Sequence, residues 1–315
     1  MRLVIVGAGA VGSLWGARLA VAGHAVTLVA RREHVSAIRA KGLRVDGRSA
    51  LTVHLPARET LPPRLEAEAV LLTVKAFDLA HAARAVGTAC RTPIPLLLPQ
   101  NGLGVEEVAV RELRASGWEH PERFVVRAVS SVPATLVEPG VVREAGHGEV
   151  VLGSSEGPAG PSADFFFDLL TGAGFSVRRV PDLAREVWRK AIVNAAINPV
   201  TAVYRVPNGD LRSGPHREEA LRLLREALQA AFAAGYEFDS EELVADFDRV
   251  VRATAENRSS MRQDVERGRP TEVDAILGEL LRSATVHGLS LPALTEMAAK
   301  VERLSPGTRT ARKPS

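Results

Sequence analysis

The chain has 315 residues, of which 46% are hydrophobic and 24% charged, values that are ordinary for a globular protein with a sizeable core. Its formal charge of +3 arises from 40 basic and 37 acidic residues that are mixed along the chain, so no basic stripe for nucleic acid emerges. No segment reaches membrane-spanning length, and the single cysteine, Cys90, excludes an internal disulfide framework and fits a reducing cytoplasm.

The first predicted element is a strand over residues 3–6, an apolar run without alternation that is typical of a strand buried on both faces. Gly7, Gly9 and Gly12 follow it in the G-x-G-x-x-G spacing, and a helical pattern continues to Gly23. Because such a turn brings backbone N–H groups and a helix N-terminus close to a pyrophosphate, the three glycines predict a dinucleotide site.

The second predicted strand, over residues 25–30, ends at Arg31 and Arg32 rather than at a carboxylate. An NAD site usually has Asp or Glu at this position, whereas a guanidinium matches a 2′-phosphate in charge and geometry. Arg31 therefore favours NADPH as the cofactor. The alternative is a solvated arginine pair at the start of a helix.

Further strands are predicted at residues 70–74, 94–98 and 124–129, with helices or loops between them. This alternation predicts a mostly parallel sheet with helices on both faces. Residues 141–144 and 149–152, separated by Gly-His-Gly, are expected to form a β-hairpin.

The pattern changes near Pro181, after which long helical stretches without strand-like runs continue to residue 305. We therefore expect two domains, 1–180 for dinucleotide binding and 181–305 for an all-helical substrate domain. Residues 306–315 are expected to form a basic, flexible tail.

Lysine is rare, since only five of the 40 basic residues are lysines. Arginine does not give up its proton at physiological pH, so lysines at structured positions are candidates for acid–base chemistry. Lys75 follows a predicted strand at the carboxyl edge of the sheet, and Lys190 lies in the first helix of the second half. The alternative for Lys190 is a surface lysine lying over its helix.

Asn194 and Asn198 follow Lys190 at i+4 and i+8, which places all three on one helical face among apolar neighbours. Such a face either contacts a ligand or forms a buried polar network between helices. Asn257, Ser260 and Asp264 are expected to form a second polar helical face. The run 270–274 predicts a helix start with a Thr271 cap and Glu272 in the first turn.

The histidines lack paired helical spacing, so no metal site is expected, and no Gly-x-Ser-x-Gly motif is present.

These features together resemble the ketopantoate reductase (2-dehydropantoate 2-reductase) family. The segments that carry the resemblance are residues 7–12, 73–76, 100–104, 186–202, 207–211, 255–264 and 271–274. The resemblance implies a Rossmann-type doubly wound parallel sheet followed by an all-helical domain like the C-terminal domain of 6-phosphogluconate dehydrogenase. One departure is Gln100, where some relatives have histidine.

The resemblance also implies roles for individual residues. Lys190 would be the general acid, oriented by Glu272, while Asn194, Asn198, Ser260 and, nearby, Asn257 would hold the substrate. Arg31 and Lys75 would bind the phosphate or ribose of the cofactor, Asn101 would lie near the nicotinamide, and Asn208 would be mainly structural in its turn.

The expected activity is NADPH-dependent reduction of ketopantoate to pantoate, a cytoplasmic oxidoreductase step in pantothenate and coenzyme A biosynthesis. The expected partner is this small substrate, without nucleic acid or membrane, and a homodimer is compatible with the resemblance. Two alternatives stay open, a reductase of another branched 2-keto acid and an NADP-binding regulator without turnover.

Overall fold

The structure is a computed structural model that describes residues 1–305 except 49, 154–156 and 158. The chain forms two compact units. The first contains Met1–Gln100 and Val105–Leu183, and the second contains Asn101–Gly104 and the chain from Ala184 onward. The tail expected at 306–315 lies outside the described residues.

The first unit alternates strands and helices for most of its length. Its elements are β1 (Arg2–Val6), α1 (Ala10–Val21), β2 (Ala25–Val29), α2 (Arg32–Lys41), β3 (Leu43–Gly47), β4 (Leu51–Val53), β5 (Ala57–Arg58), β6 (Ala69–Leu72), α3 (Leu79–Ala89), β7 (Leu96–Leu98), α4 (Val105–Ala115), β8 (Val125–Ser130), β9 (Ala134–Glu138), β10 (Val141–Glu144), β11 (Glu149–Gly153), α5 (Gly160–Gly172) and β12 (Ser176–Val180).

The main sheet has the strand order β12-β11-β8-β7-β6-β1-β2-β5. The strands from β8 to β5 run parallel, and β11 pairs antiparallel with β8. Side chains alternate across β1, so Leu3 and Ile5 pack on the face covered by α1 and α5, while Val4 and Val6 pack on the face of α3 and α4. Burial on both faces explains the continuous apolar runs, and the expected doubly wound α/β fold is confirmed.

The hairpin expected at residues 141–152 is wrong. β10 pairs with β3 and β9 in a separate four-stranded sheet, whereas β11 belongs to the main sheet between β8 and β12. Gly148 lies where the chain passes from one sheet to the other, and a Cβ there would overlap the Val132 backbone, a close approach that only glycine permits. The Glu149 carbonyl then accepts a 2.9 Å hydrogen bond from Ser131 and aligns β11 with β8.

Among its described residues, the second unit contains helices joined by turns and loops, without a strand. Its helices are α6 (Leu183–Tyr204), α7 (Gly214–Ala233), α8 (Ser240–Ala253), α9 (Ser260–Glu266), α10 (Glu279–Val286) and α11 (Pro292–Leu304), with a 3₁₀ turn at Asn208–Arg212 and a π turn at Asp274–Gly278. Its core lies around the buried face of α6 and includes Ile192, Leu223, Phe247 and Leu294. Among the described residues, no helix combines the length and apolarity that a membrane span requires.

Candidate functional site

A glycine-rich turn joins β1 to α1 at the carboxyl edge of the main sheet. Gly7 has a φ of +94°, and a Cβ there would lie 2.5 Å from the Val74 nitrogen, so this position requires glycine. A Cβ on Gly12 would overlap the hydroxyl of Thr73, which donates a 3.0 Å hydrogen bond to the Gly7 carbonyl. The segment that follows β6 therefore packs tightly against this turn.

Gly9 differs from the other two glycines because no described residue crowds it. A Cβ at Gly9 would have the Gly7 carbonyl oxygen, at 3.9 Å, as its nearest neighbour. Gly9 is the N-cap of α1, whose first backbone hydrogen bond runs from Ser13 to the Gly9 carbonyl (3.0 Å), and no acidic residue lies in the first turn. The open surface at the positive end of this helix suits an anionic group such as a pyrophosphate.

A buried histidine, His34, is connected to the same turn by hydrogen bonds. The Gly140 N–H donates to His34 Nδ1 (2.9 Å), so the ring proton lies on Nε2 and is donated to the Ser13 hydroxyl (2.9 Å). Ser13 in turn donates to the Ala8 carbonyl (3.2 Å) in the glycine-rich turn. His34 is 5% exposed, and burial lowers its pKa, which keeps the imidazole neutral.

Arg31 lies directly after β2 as the N-cap residue of α2, with an exposed side chain. The neighbouring strand β5 places a second exposed arginine there, because the Arg58 carbonyl accepts a 3.0 Å hydrogen bond from the Ala30 N–H. Neither arginine takes part in the ion pairs between described residues. Sequence reasoning missed Arg58, since a strand of two residues leaves no readable pattern.

Lys75 and Gln100 follow the neighbouring strands β6 and β7. Lys75 is half-buried and precedes the 3₁₀ turn Ala76–Asp78. Gln100 is 6% exposed, and its Nε2 donates to the carbonyls of Leu72 (2.7 Å) and Val74 (3.2 Å). This glutamine thus holds the segment between β6 and Lys75.

Asn101 belongs to the second unit, although it directly follows Gln100. The Leu103 N–H donates to the Ala275 carbonyl (3.2 Å), and Gly102, with a φ of +90°, leaves no room for a Cβ beside the same carbonyl. Residues Asn101–Gly104 are therefore hydrogen-bonded to, and packed against, the helical segment that begins just after Glu272. The sequence contained no signal for this contact.

Helix α6 carries Lys190, Asn194 and Asn198 on one face, as the spacing predicts. Lys190 and Asn194 are half-buried and Asn198 is 7% exposed, whereas the apolar residues between them are buried. The polar line therefore crosses an otherwise apolar stretch of α6 in the core of this unit.

Ion pairing orients the start of α6. Arg189, adjacent to Lys190, pairs with the buried Asp246 of α8, and Trp188 packs on Tyr236 with ring centroids 5.4 Å apart. These contacts limit rotation of α6 about its axis.

The second polar face is wrong in one respect, because Asn257 lies in the turn before α9 rather than on it. Ser259 starts the helix by accepting the Arg262 N–H on its side chain (3.1 Å), which places Ser260 in the first turn and buries Asp264. The Ser259 hydroxyl also accepts from Thr201 of α6 (2.7 Å). This buried bond ties the segment before α9 to the helix that carries Lys190.

Asn208 holds the other side of that turn. Its N–H donates to the Asn257 carbonyl (3.0 Å), and its Nδ2 donates to the Thr254 hydroxyl (2.9 Å). These bonds agree with the mainly structural role expected of Asn208.

The expected Thr271 cap is also wrong. The Thr271 hydroxyl is buried without a hydrogen-bond partner among the described residues, and Glu272 lies just before the helical segment rather than in its first turn. The helix begins with a π turn, and the Glu272 carbonyl accepts the Ile276 N–H (3.0 Å). Glu272 itself is 6% exposed.

Two other groups bear on the chemistry. Burial raises the pKa of the Cys90 thiol to about 11, so this cysteine is an inert part of the core. Among the described residues, no group of three or more His, Cys, Asp and Glu side chains has an arrangement suited to a metal ion.

Comparison with known families identifies matches along most of the chain. Residues 3–157 match the model described as "Ketopantoate reductase PanE/ApbA", and residues 182–305 match "Ketopantoate reductase PanE/ApbA C terminal". The chain is 37% identical over 289 residues to a 2-dehydropantoate 2-reductase of Archaeoglobus fulgidus, covering 91% of this chain and 92% of the relative. A 2-dehydropantoate 2-reductase of Halobacterium salinarum is 36% identical over 304 residues, covering 95% and 97%.

Solved structures share the fold. A PanE/ApbA family ketopantoate reductase from Ralstonia eutropha superposes with a TM-score of 0.84 at 30% identity, covering 96% of this chain and 98% of that one. A D-mandelate dehydrogenase solved with NADH and anilino(oxo)acetate has a TM-score of 0.89 at 23% identity, with the same coverage. At that identity the second similarity shows the fold alone.

Proposed function

The chain belongs to the ketopantoate reductase family, and from this premise we propose that it reduces 2-dehydropantoate (ketopantoate) to pantoate with NADPH. The observation that carries the proposal is the line of Lys190, Asn194 and Asn198 on α6, within the region that matches the family's C-terminal model. The product would serve pantothenate and coenzyme A biosynthesis in the cytoplasm.

The carboxyl edge of the main sheet supports the cofactor assignment. Gly9 offers an uncrowded approach to the first turn of α1, which suits the pyrophosphate. Arg31, with Arg58 beside it, supplies positive charge where a 2′-phosphate would lie, and this favours NADPH over NADH. We further assign Lys75 to the phosphate or ribose and Asn101 to the vicinity of the nicotinamide.

When bound, the reduced nicotinamide would supply the hydride that the C2 carbonyl of the keto acid needs. Lys190 would donate a proton to the carbonyl oxygen as that oxygen gained negative charge, leaving a hydroxyl and a neutral amine. The amine then regains its proton from solvent, so that one NADPH and one proton are consumed for each pantoate formed. Glu272, which is buried beside the π turn, is assigned to orienting Lys190 and the substrate.

The substrate has a hydroxyl and a carboxylate, which amide and hydroxyl side chains can hold. We assign Asn194, Asn198 and Ser260 to these groups, with Asn257 nearby. Thr201 and Ser259 position these residues, since their hydrogen bond connects the start of α9 to α6.

The proposal is tested by ketopantoate-dependent NADPH oxidation with the wild type, Lys190→Ala and Lys190→Arg. Both variants should lose about 10²–10⁴-fold in kcat while still binding NADPH, because arginine keeps the charge but does not release a proton. Lys41→Ala, at an exposed lysine near the end of α2, is the matched control and should retain wild-type turnover. Unchanged turnover in Lys190→Ala would overturn the mechanism.

A second candidate keeps the fold and changes the substrate to another branched 2-keto acid. The observation that favours it is the close superposition with D-mandelate dehydrogenase, which shows that this fold accommodates more than one substrate. A panel of 2-keto acids separates the two, since ketopantoate should have the highest kcat/KM. NADPH binding without turnover of any of them would favour a regulator.

A further inference from the structure

Gln100 has one buried oxygen that the protein does not use. Its Nε2 donates to the Leu72 and Val74 carbonyls, which can only accept, so the orientation of the amide is determined and Oε1 lies on the other side. Oε1 is fully buried and has no hydrogen-bond partner among the described residues. A buried acceptor without a donor is unfavourable, so a donor that bound there from outside the chain would stabilise this glutamine.

The strand order locates this oxygen relative to the proposed cofactor site. β1, with its glycine-rich turn, separates β2 and β5 on one side from β6 and β7 on the other. Arg31 follows β2 and Arg58 is the last residue of β5, on the first side, where the adenosine 2′-phosphate would lie. Gln100 follows β7 on the opposite side, which corresponds to the nicotinamide half of a dinucleotide lying along this edge.

The contacts of Gln100 link it to the glycine-rich turn. Its Nε2 bonds the Val74 carbonyl, and the Val74 nitrogen is the atom that a Cβ on Gly7 would approach to 2.5 Å. Gly7, Val74 and Gln100 therefore form successive parts of one packed edge. A cofactor that extended along this edge from the pyrophosphate toward β7 would pass the segment that holds Gln100.

We propose that Gln100 Oε1 accepts a hydrogen bond from the nicotinamide riboside of the bound cofactor, either from a ribose hydroxyl or from the carboxamide N–H. This inference rests on the proposed function, because it requires a nicotinamide dinucleotide at the carboxyl edge. It makes Gln100 a cofactor-binding residue in addition to Arg31 and Lys75.

The test compares two ligands by calorimetric titration. NADPH contains both halves of the cofactor, whereas adenosine 2′,5′-bisphosphate keeps the 2′-phosphate but lacks the nicotinamide riboside. Gln100→Met should weaken NADPH binding roughly tenfold and leave bisphosphate binding within about twofold of the wild type. Gln100→His offers one N–H and one lone pair, so it should recover most of the lost NADPH affinity.

Two controls separate this role from a purely structural one. Gln229→Met changes an exposed glutamine of α7 and should bind both ligands as the wild type does. The ratio of the two dissociation constants is measured on the same folded population, so it stays informative even if Gln100→Met is partly unfolded. The 3-acetylpyridine analogue of NADPH lacks the carboxamide N–H, and equal affinity of this analogue for wild type and Gln100→Met assigns the bond to the carboxamide.

The outcomes are distinct. An equal loss for both ligands, or no loss for either, would overturn the role of Gln100 while leaving the proposed function intact. A wild type that binds neither ligand would refute the proposed function and this inference with it.

Discussion

Alanine substitutions at Gly9 and Gly12 should separate cofactor affinity from stability. A Cβ on Gly12 would overlap the Thr73 hydroxyl and lie 2.9 Å from the Gly7 carbonyl oxygen and 3.1 Å from Ile5 Cγ2. Overpacking of this kind costs about 1–3 kcal/mol. Displacing Thr73 from Gly7 costs about 1 kcal/mol more, and the higher helix propensity of alanine offsets about 1 kcal/mol. The net loss of roughly 1–3 kcal/mol corresponds to a Tm lower by roughly 3–9 °C.

Gly9→Ala should behave differently, since the nearest protein atom to its Cβ lies at 3.9 Å. Weaker capping by alanine and the lower entropy of its unfolded chain nearly cancel, so the free energy of unfolding should change by less than about 1 kcal/mol. The new methyl group would occupy the approach to the helix N-terminus, and NADPH should bind at least about tenfold more weakly, a loss of about 1.4 kcal/mol.

Thermal unfolding followed by circular dichroism and calorimetric titration with NADPH measure the two effects. Gly172→Ala is the matched control, because Gly172 ends α5 and a Cβ there meets nothing within 4 Å. That variant should keep its NADPH affinity and gain up to about 1 kcal/mol of stability. An unchanged Tm in Gly12→Ala, or unchanged NADPH affinity in Gly9→Ala, would refute the reasoning.

Three other measurements address the remaining features. Arg31→Ala should raise the KM for NADPH about tenfold or more and that for NADH far less, because only NADPH has the 2′-phosphate; equal changes would contradict the assignment. Burial lowers the pKa of His34 below the 6.5 of the unfolded chain, so the unfolded state binds the proton more tightly. The free energy of unfolding therefore falls as the pH drops below 6.5, by at most about 1.4 kcal/mol per pH unit for one proton. In urea unfolding between about pH 7.5 and 5.5, His34→Gln should reduce the slope of the free energy of unfolding against pH. The remaining slope includes the contribution of His24, whose pKa is also lowered by burial and by the N-terminal charge. An identical slope in both proteins would exclude the role of His34. Cys90, with its raised pKa, should resist thiol-reactive reagents in the folded protein and react only on unfolding, and rapid labelling under native conditions would show that it is accessible.

Some of the site could be predicted from sequence because its signals are local. The glycine spacing after a buried strand, Arg31 at the next strand end and the one-turn spacing of Lys190 and Asn194 each depend on residues close in the chain. Local steric and helical geometry determines such patterns, and the fold class follows from their alternation.

Other features depend on residues far apart in sequence. The expected hairpin failed because β10 pairs with β3 and β9 while β11 pairs with β8 and β12, partners that no turn motif reveals. The Thr271 cap failed because the helical segment starts after Glu272 and continues as a π turn. Helix propensities of single residues do not predict where such a turn begins. Asn257 lies outside α9 because Ser259 is the N-cap residue, and its side chain accepts the Arg262 N–H in the first turn.

By itself, the sequence determined a dinucleotide-binding α/β region, an all-helical region, the polar line on α6 and the resemblance to one enzyme family. Only the tertiary structure decided that Arg58 lies on the strand next to Arg31 and that His34 is hydrogen-bonded to the segment that supports the glycine-rich turn. It also decided that Asn101 belongs to the helical unit and that Gln100 has a buried oxygen without a partner among the described residues. The physical reason is that strand pairing and burial join residues across long separations, and these contacts leave no period in the sequence.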